Sequence, residues 1–97
     1  MTLARISVDK AATLAKEGAT LIDIRSAGEF SHRHISDSVN KQVNAVSPDS
    51  LPEGGVVIFV CQSGMRTRTN ANKLAAAAKN CKEAYLLEGG IDAWQKQ

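Results

Sequence analysis

Cys61, Gly64 and Arg66 lie within six positions of one another. Each brings something a nucleophilic site needs. The thiolate of a cysteine attacks electrophilic centres. Glycine opens backbone angles that let successive N–H groups turn inward as an anion-binding nest. Arginine adds a cation that keeps its charge at any working pH. Gln62, Ser63 and Met65 complete the loop, and Thr67 and Arg68 follow it. A cysteine beside a tight turn is often only core filler. The company of Gly64 and Arg66 favours a reactive one.

The flanking residues say where this loop stands. Five apolar residues, Val56 to Val60, run without a polar break and read as a strand buried on both faces. Behind the loop, Ala71, Leu74, Ala75 and Ala78 fall at i, i+3, i+4 and i+7. That spacing predicts one helix ending near Lys79, with Asn80 stopping it in a left-handed conformation. Cys61 is therefore expected at the carboxyl end of a buried strand, facing a helix start. Open α/β sheets place their ligand crevices there. The free N–H groups and positive dipole end of the helix favour a thiolate.

The rest of the chain supplies the frame. Arg5-Ile6 suggests a short first strand. Ser7 suits a helix N-cap, with Val8, Ala11, Ala12, Leu14 and Ala15 as the apolar stripe and Gly18 as the stop. Residues 20–24 read as a second strand, in which Asp23 breaks the apolar run and Arg25 follows. Both are expected at the same sheet edge as Cys61, as a charged pair that supports the loop. Ser26-x-x-Glu29 is a capping box opening a short helix that carries Phe30 inward. His34 suits a structural bond in the following turn and His32 suits solvent; no third ligand sits at metal-site spacing, so no metal is expected. Residues 38–43 suggest a short third strand, and Ser47-Pro48 one helical turn. Residues 84–87 are the last strand, Gly89-Gly90 a tight turn, and Ile91 and Trp94 anchor a final helix. Cys81 falls in a turn at the opposite edge from Cys61. Strands alternating with helices imply a parallel sheet with right-handed crossovers and helices on both faces.

Composition bounds the rest. Ninety-seven residues suit one domain, 1–97, with a single core. A net charge of +2 and four aromatics argue against a nucleic-acid surface. No apolar run approaches the ~20 residues that span a bilayer, and no signal peptide is visible. Membrane attachment would need a segment beyond Gln97. Two cysteines without a C-x-x-C pair fit a reducing, cytoplasmic setting.

Cys61-Gln62-Ser63-Gly64-Met65-Arg66 resembles the C-x-x-G-x-R active loop of rhodanese-type sulfurtransferases. Asp23-Ile24-Arg25 with Glu29-Phe30, His34-Ile35 with Val39-Asn40, and Leu87-Glu88-Gly89-Gly90 with Ala93-Trp94 resemble further motifs of that family, in the same order. Within it, the likeness is greatest to rhodanese domains of small inner-membrane proteins, where the domain precedes a hydrophobic hairpin. One stretch departs. The family often has Gly before the His and Pro-Gly-Ala after the Ile, where this chain has Arg33 and Ser36-Asp37-Ser38.

The resemblance implies a three-layer α/β/α fold with a five-stranded parallel sheet in the order 3-2-4-5-1. It implies transfer of a sulfane sulfur from thiosulfate, or a related anionic donor, to cyanide or a thiol through a Cys61 persulfide. The amides of 62–66 would cradle that persulfide, with Arg66 and Arg68 drawing in the donor. No cofactor is implied. Two other readings stay open. A persulfide carrier or redox sensor would use the same Cys61 for a dedicated protein partner. A cysteine phosphatase would also pair a thiolate with Arg, but its pattern spaces the two by five residues, and here there are four.

Overall fold

The computed structural model describes residues 3–96. Five strands form one parallel sheet: β1 (Ala4–Ile6), β2 (Thr20–Asp23), β3 (Val39–Asn40), β4 (Val56–Val60) and β5 (Glu83–Leu87). Their order across the sheet is β1-β5-β4-β2-β3, which is the implied 3-2-4-5-1. The chain moves outward from β2 to β3, then returns to β4 on the other side of β2. That reversal opens the crevice between the carboxyl ends of β2 and β4.

The central strand shows why an apolar run was needed. Val57, Phe59 and Cys61 face one side; Ile58 and Val60 face the other. All five are essentially inaccessible to solvent. On the first side lie Leu74, Ala75, Ala77 and Ala78 of α4 (Ala71–Ala77) and its C-terminal edge. On the second lie Val8 and Ala11 of α1 (Val8–Lys16) and Ile91 of α5 (Gly90–Gln95). The alternation of strand side chains thus assigns the thiol to the α4 side.

Local signals held at several ends. Ser7 Oγ accepts from Lys10 N at 3.2 Å and starts α1. Ser26 and Glu29 make the reciprocal capping box of α2 (Ala27–His32). Others were overridden. The helix behind the loop is broken into α3 (Met65–Thr69) and α4, because Asn70 takes the Arg66 carbonyl with both its backbone N–H (3.0 Å) and its Nδ2 (2.8 Å). Asn80 is not left-handed. Helix α4 ends through a tight turn in which Cys81 N donates to Ala78 O at 2.9 Å. Among the described residues, the left-handed non-glycine residue is Asp37, at φ 66°. It occupies the middle of Ser36-Asp37-Ser38, where the resembled pattern has glycine, and Asp tolerates that conformation better than most residues. Strand β3 is only two residues long. Phe30 does not enter the core; α2 buries no residue, and Phe30 stacks on His34 with ring centroids 3.9 Å apart. No helix among the described residues is long and apolar enough to cross a membrane.

Candidate active site

Cys61 follows β4 directly, and its side chain is 1% exposed. The Gly64 N–H donates to Cys61 Sγ at 3.1 Å. Gly64 makes this possible from the left-handed region, at φ 92°, where it also caps α3. Its neighbours leave little room for anything larger: a Cβ there would stand 3.1 Å from Gly89 N. Thr67 Oγ1 lies 3.9 Å from Sγ and donates to Gly64 O at 3.0 Å. Thr67 is wholly buried, so its hydroxyl ties the loop shut at its base. Among the described residues, Gly64 is the member of the 62–66 loop whose amide is bonded to the sulfur; the expected ring of several amides is represented by that one bond.

The loop is held from beneath by α5. Ile91 N donates to Cys61 O at 2.9 Å, and Asp92 N to Gln62 O at 3.0 Å. The free N–H groups of a helix start are thereby spent on the carbonyls of Cys61 and Gln62. Gly90 permits the approach. A Cβ on it would collide with Cys61 O and lie 2.6 Å from Gln62 O, and its φ is 59°. The Gly89-Gly90 pair is therefore more than a tight turn. It sets how closely the last helix grips the loop.

Asp23 and Arg25, expected as a charged pair at this sheet edge, form an ion pair of 2.9 Å. Both are buried. Asp23 Oδ1 accepts from Arg25 N and Nε at 3.0 Å each, and Oδ2 accepts from Nη2 at 2.9 Å. Arg25 Nη1 then donates to Gln62 Oε1 at 3.0 Å, and Nη2 to Arg33 O at 2.6 Å. Gln62 Nε2 donates onward to Asp92 Oδ1 at 2.6 Å. One chain of bonds thus runs from β2 through the loop to α5. Asn40 steadies its origin, donating to the carbonyls of Asp23 (3.0 Å) and Arg25 (2.9 Å). Asp92 was not singled out from the sequence, and Gly90 only as part of a tight turn. No spacing rule pairs Gln62 with a residue thirty positions away.

Arg66 departs from expectation. The sequence puts it at the mouth of the loop as a fixed cation. Instead Nη1 and Nη2 bind Glu29 Oε1 and Oε2 at 2.9 and 2.8 Å. The Arg66 bond, helped by the Ser26 amide, holds the Glu29 carboxyl at about 2, well below the ordinary 4.5. The same bond pushes Arg66 further up; partial burial opposes that, and charge at Glu29 and Cys61 adds to it. Ser63 in the loop and Arg68 just after it are exposed, and Met65 is 62% exposed at its rim. Cys81 is half-buried in the turn before β5, at the amino ends of the strands, and burial raises its thiol.

A model of the rhodanese-like domain matches residues 7–97. The chain belongs to the rhodanese-like domain family. Among the relatives of this rhodanese-like chain is a thiosulfate sulfurtransferase, GlpE, of Pseudomonas savastanoi pv. phaseolicola, 28% identical over 94 residues. The match covers 94% of this chain and 86% of the relative. A solved thiosulfate sulfurtransferase from Pseudomonas aeruginosa superposes with a TM-score of 0.82 at 19% identity, over 99% of this chain and 18% of that one. A protein from Rhodopseudomonas palustris, described as a possible tyrosine phosphatase, superposes at 0.78 with 23% identity, over 97% and 80%. At those identities the two structures speak for the rhodanese fold and not for the reaction.

Proposed function

We propose that this protein is a sulfurtransferase working through a persulfide on Cys61. The Cys61 thiolate attacks the outer sulfur of an anionic donor of the thiosulfate type. The sulfur–sulfur bond of the donor breaks, sulfite leaves with the electron pair, and Cys61 carries the transferred sulfur as an anionic persulfide. Cyanide then takes that sulfur as thiocyanate, or a thiolate takes it as a new persulfide, and Cys61 returns as a thiolate. Charge and atoms balance at each step with no added oxidant. The two half-reactions give a ping-pong pattern. No cofactor enters this scheme, and a reducing cytoplasm is the setting it suits.

The observation that carries the reading is the 3.1 Å bond from Gly64 N–H to Cys61 Sγ in a four-residue spacer between Cys and Arg. A donor aimed at a sulfur is a device for stabilising negative charge there. Kinship with GlpE sulfurtransferases supports the same chemistry. The near-complete burial of Cys61 favours a donor that enters end-on with a single sulfur atom. The test is mass spectrometry of the intact protein after thiosulfate treatment. One added sulfur, absent from Cys61→Ser, is expected. An unmodified wild-type protein would overturn the reading.

Met65 favours a second reading of the acceptor. An apolar side chain 62% exposed on the loop itself suits contact with a protein more than with cyanide. A persulfide carrier of that kind would pass sulfur slowly to free cyanide and quickly to one protein thiol. Comparing the two rates on preloaded protein separates the readings.

A further inference from the structure

With Arg66 bound to Glu29, the cations left to meet an anion near the loop are elsewhere. A cleft of ≈ 160 Å³ lies on the β1–β5 side of the loop, apart from Cys61. Arg5, Ser63, Arg68 and Glu88 stand around it, and the buried Gly64 and Thr67 contribute to its floor. Strand register explains why Arg5 is there. Arg5 pairs with Leu86, which faces the same side of the sheet as Cys61, whereas Ile6 and Leu87 face the other. Arg68 reaches the same space from α3. Among the described residues, neither guanidinium is engaged by a hydrogen bond or an ion pair, and the Ser63 hydroxyl is likewise unengaged.

Two unengaged guanidinium forks and a hydroxyl around a cleft a few atoms wide match the surface of a small oxyanion. Glu88 is the opposing charge, and it leaves the group of three ionised side chains net positive. We propose that this cleft is a second anion site, separate from the thiol, for a small oxyanion of the size of sulfate. Its floor residues are also those that hold Sγ, so an occupant acts on the loop through Gly64 and Thr67 without touching Cys61.

The proposal is independent of sulfur transfer, because it can be tested in the Cys61→Ser protein. Sodium sulfate is titrated calorimetrically against sodium chloride of matched ionic strength, which removes general screening. Saturable binding of one sulfate is expected in both wild type and Cys61→Ser. Arg5→Gln and Arg68→Gln each weaken it by about fivefold or more, and Glu88→Gln tightens it, as loss of one charged contact requires. All three side chains are exposed and make no bond that folding needs, and thermal melts verify that the variants fold. Absence of saturable sulfate binding overturns the proposal. So does an affinity unchanged in either Arg5→Gln or Arg68→Gln. Binding lost in Arg66→Gln but retained in those two variants would place the anion over the thiol and overturn it as well.

Discussion

Arg66 and Glu29 lie thirty-seven positions apart and are joined by two parallel bonds of 2.9 and 2.8 Å. The pair straps the 61–66 loop to the first turn of α2, where Glu29 Oε1 also accepts from Ser26 N at 3.2 Å. One carboxylate therefore caps a helix and fixes the loop's arginine. Glu29 is held at about 2, against an ordinary 4.5. A depressed carboxyl contributes stability that is fully present above its unfolded value and lost as pH falls through the folded one. The difference in urea midpoint between wild type and Glu29→Gln should thus be constant above pH 5 and vanish between pH 4.5 and 2. Glutamine still completes a capping box, so the variant isolates the charge. A difference that persists unchanged at pH 2 would show that the strap contributes nothing through its charge. The pair is exposed, so the effect is small and best seen at low salt.

Gly90 predicts a larger effect. Alanine there needs φ near 59° and drives its Cβ into Cys61 O and Gln62 O. Either α5 withdraws or the loop does. Gly90→Ala is expected to cost roughly 2–4 kcal/mol in chemical denaturation. Sulfur uptake at Cys61 should fall with it. Gly28 is the control: it lies in α2 with ordinary φ and nothing within 4 Å of an added Cβ. Gly28→Ala should stabilise by about 0.5–1 kcal/mol. Equal effects at the two glycines would refute the account of α5's grip on the loop.

What could be read in the sequence, and what could not, divides along chain distance. The run 56–60, the caps at Ser7 and Ser26, and the α4 stripe are local patterns, and each yields its element. Sheet order came from resemblance, because no local pattern says that β4 returns beside β2. The Asp23–Arg25 pair was legible at a separation of two residues. The extension of that pair through Gln62 to Asp92 was not, since it joins residues brought together only by the sheet and α5. The Arg66–Glu29 pair was hidden for the same reason. From the sequence it is a charge beside a cysteine; in the fold, Glu29 reaches it first. The break at Asn70 is a case where a side-chain amide competing for a helix carbonyl defeats a correct apolar period.

The buried pair makes a prediction about partners. Arg25 is 3% exposed, and Asp23 is its counter-ion. Asp23→Ala removes two acceptor atoms and leaves a guanidinium in the interior with Gln62 and Arg33 O for company. A loss of about 3–5 kcal/mol is expected, as for other buried charges stripped of their partner. The double variant Asp23→Ala/Arg25→Leu should recover part of it, because the uncompensated charge goes too. Denaturant midpoints of the four proteins form a cycle that checks this. A double variant no more stable than Asp23→Ala would show that Arg25's other bonds, and not its charge, set the cost.

On the proposed function, substrate selection follows from the size of the loop. Four residues separate Cys61 from Arg66, and the thiol at the bottom is bonded by one amide and closed in by Thr67. A transferred sulfur adds one atom to Sγ. A phosphoryl group would add a phosphorus with three oxygens, each needing donors, and Arg66 already gives both terminal nitrogens to Glu29. The protein should therefore acquire sulfur from thiosulfate while showing no Cys61-dependent turnover of an aryl phosphate. Releasing Arg66 by Glu29→Gln should leave that phosphatase result unchanged, since the shorter loop remains. Phosphate turnover that appears in Glu29→Gln and disappears with Cys61→Ser would make the ion pair, rather than loop length, the feature that excludes phosphoryl chemistry.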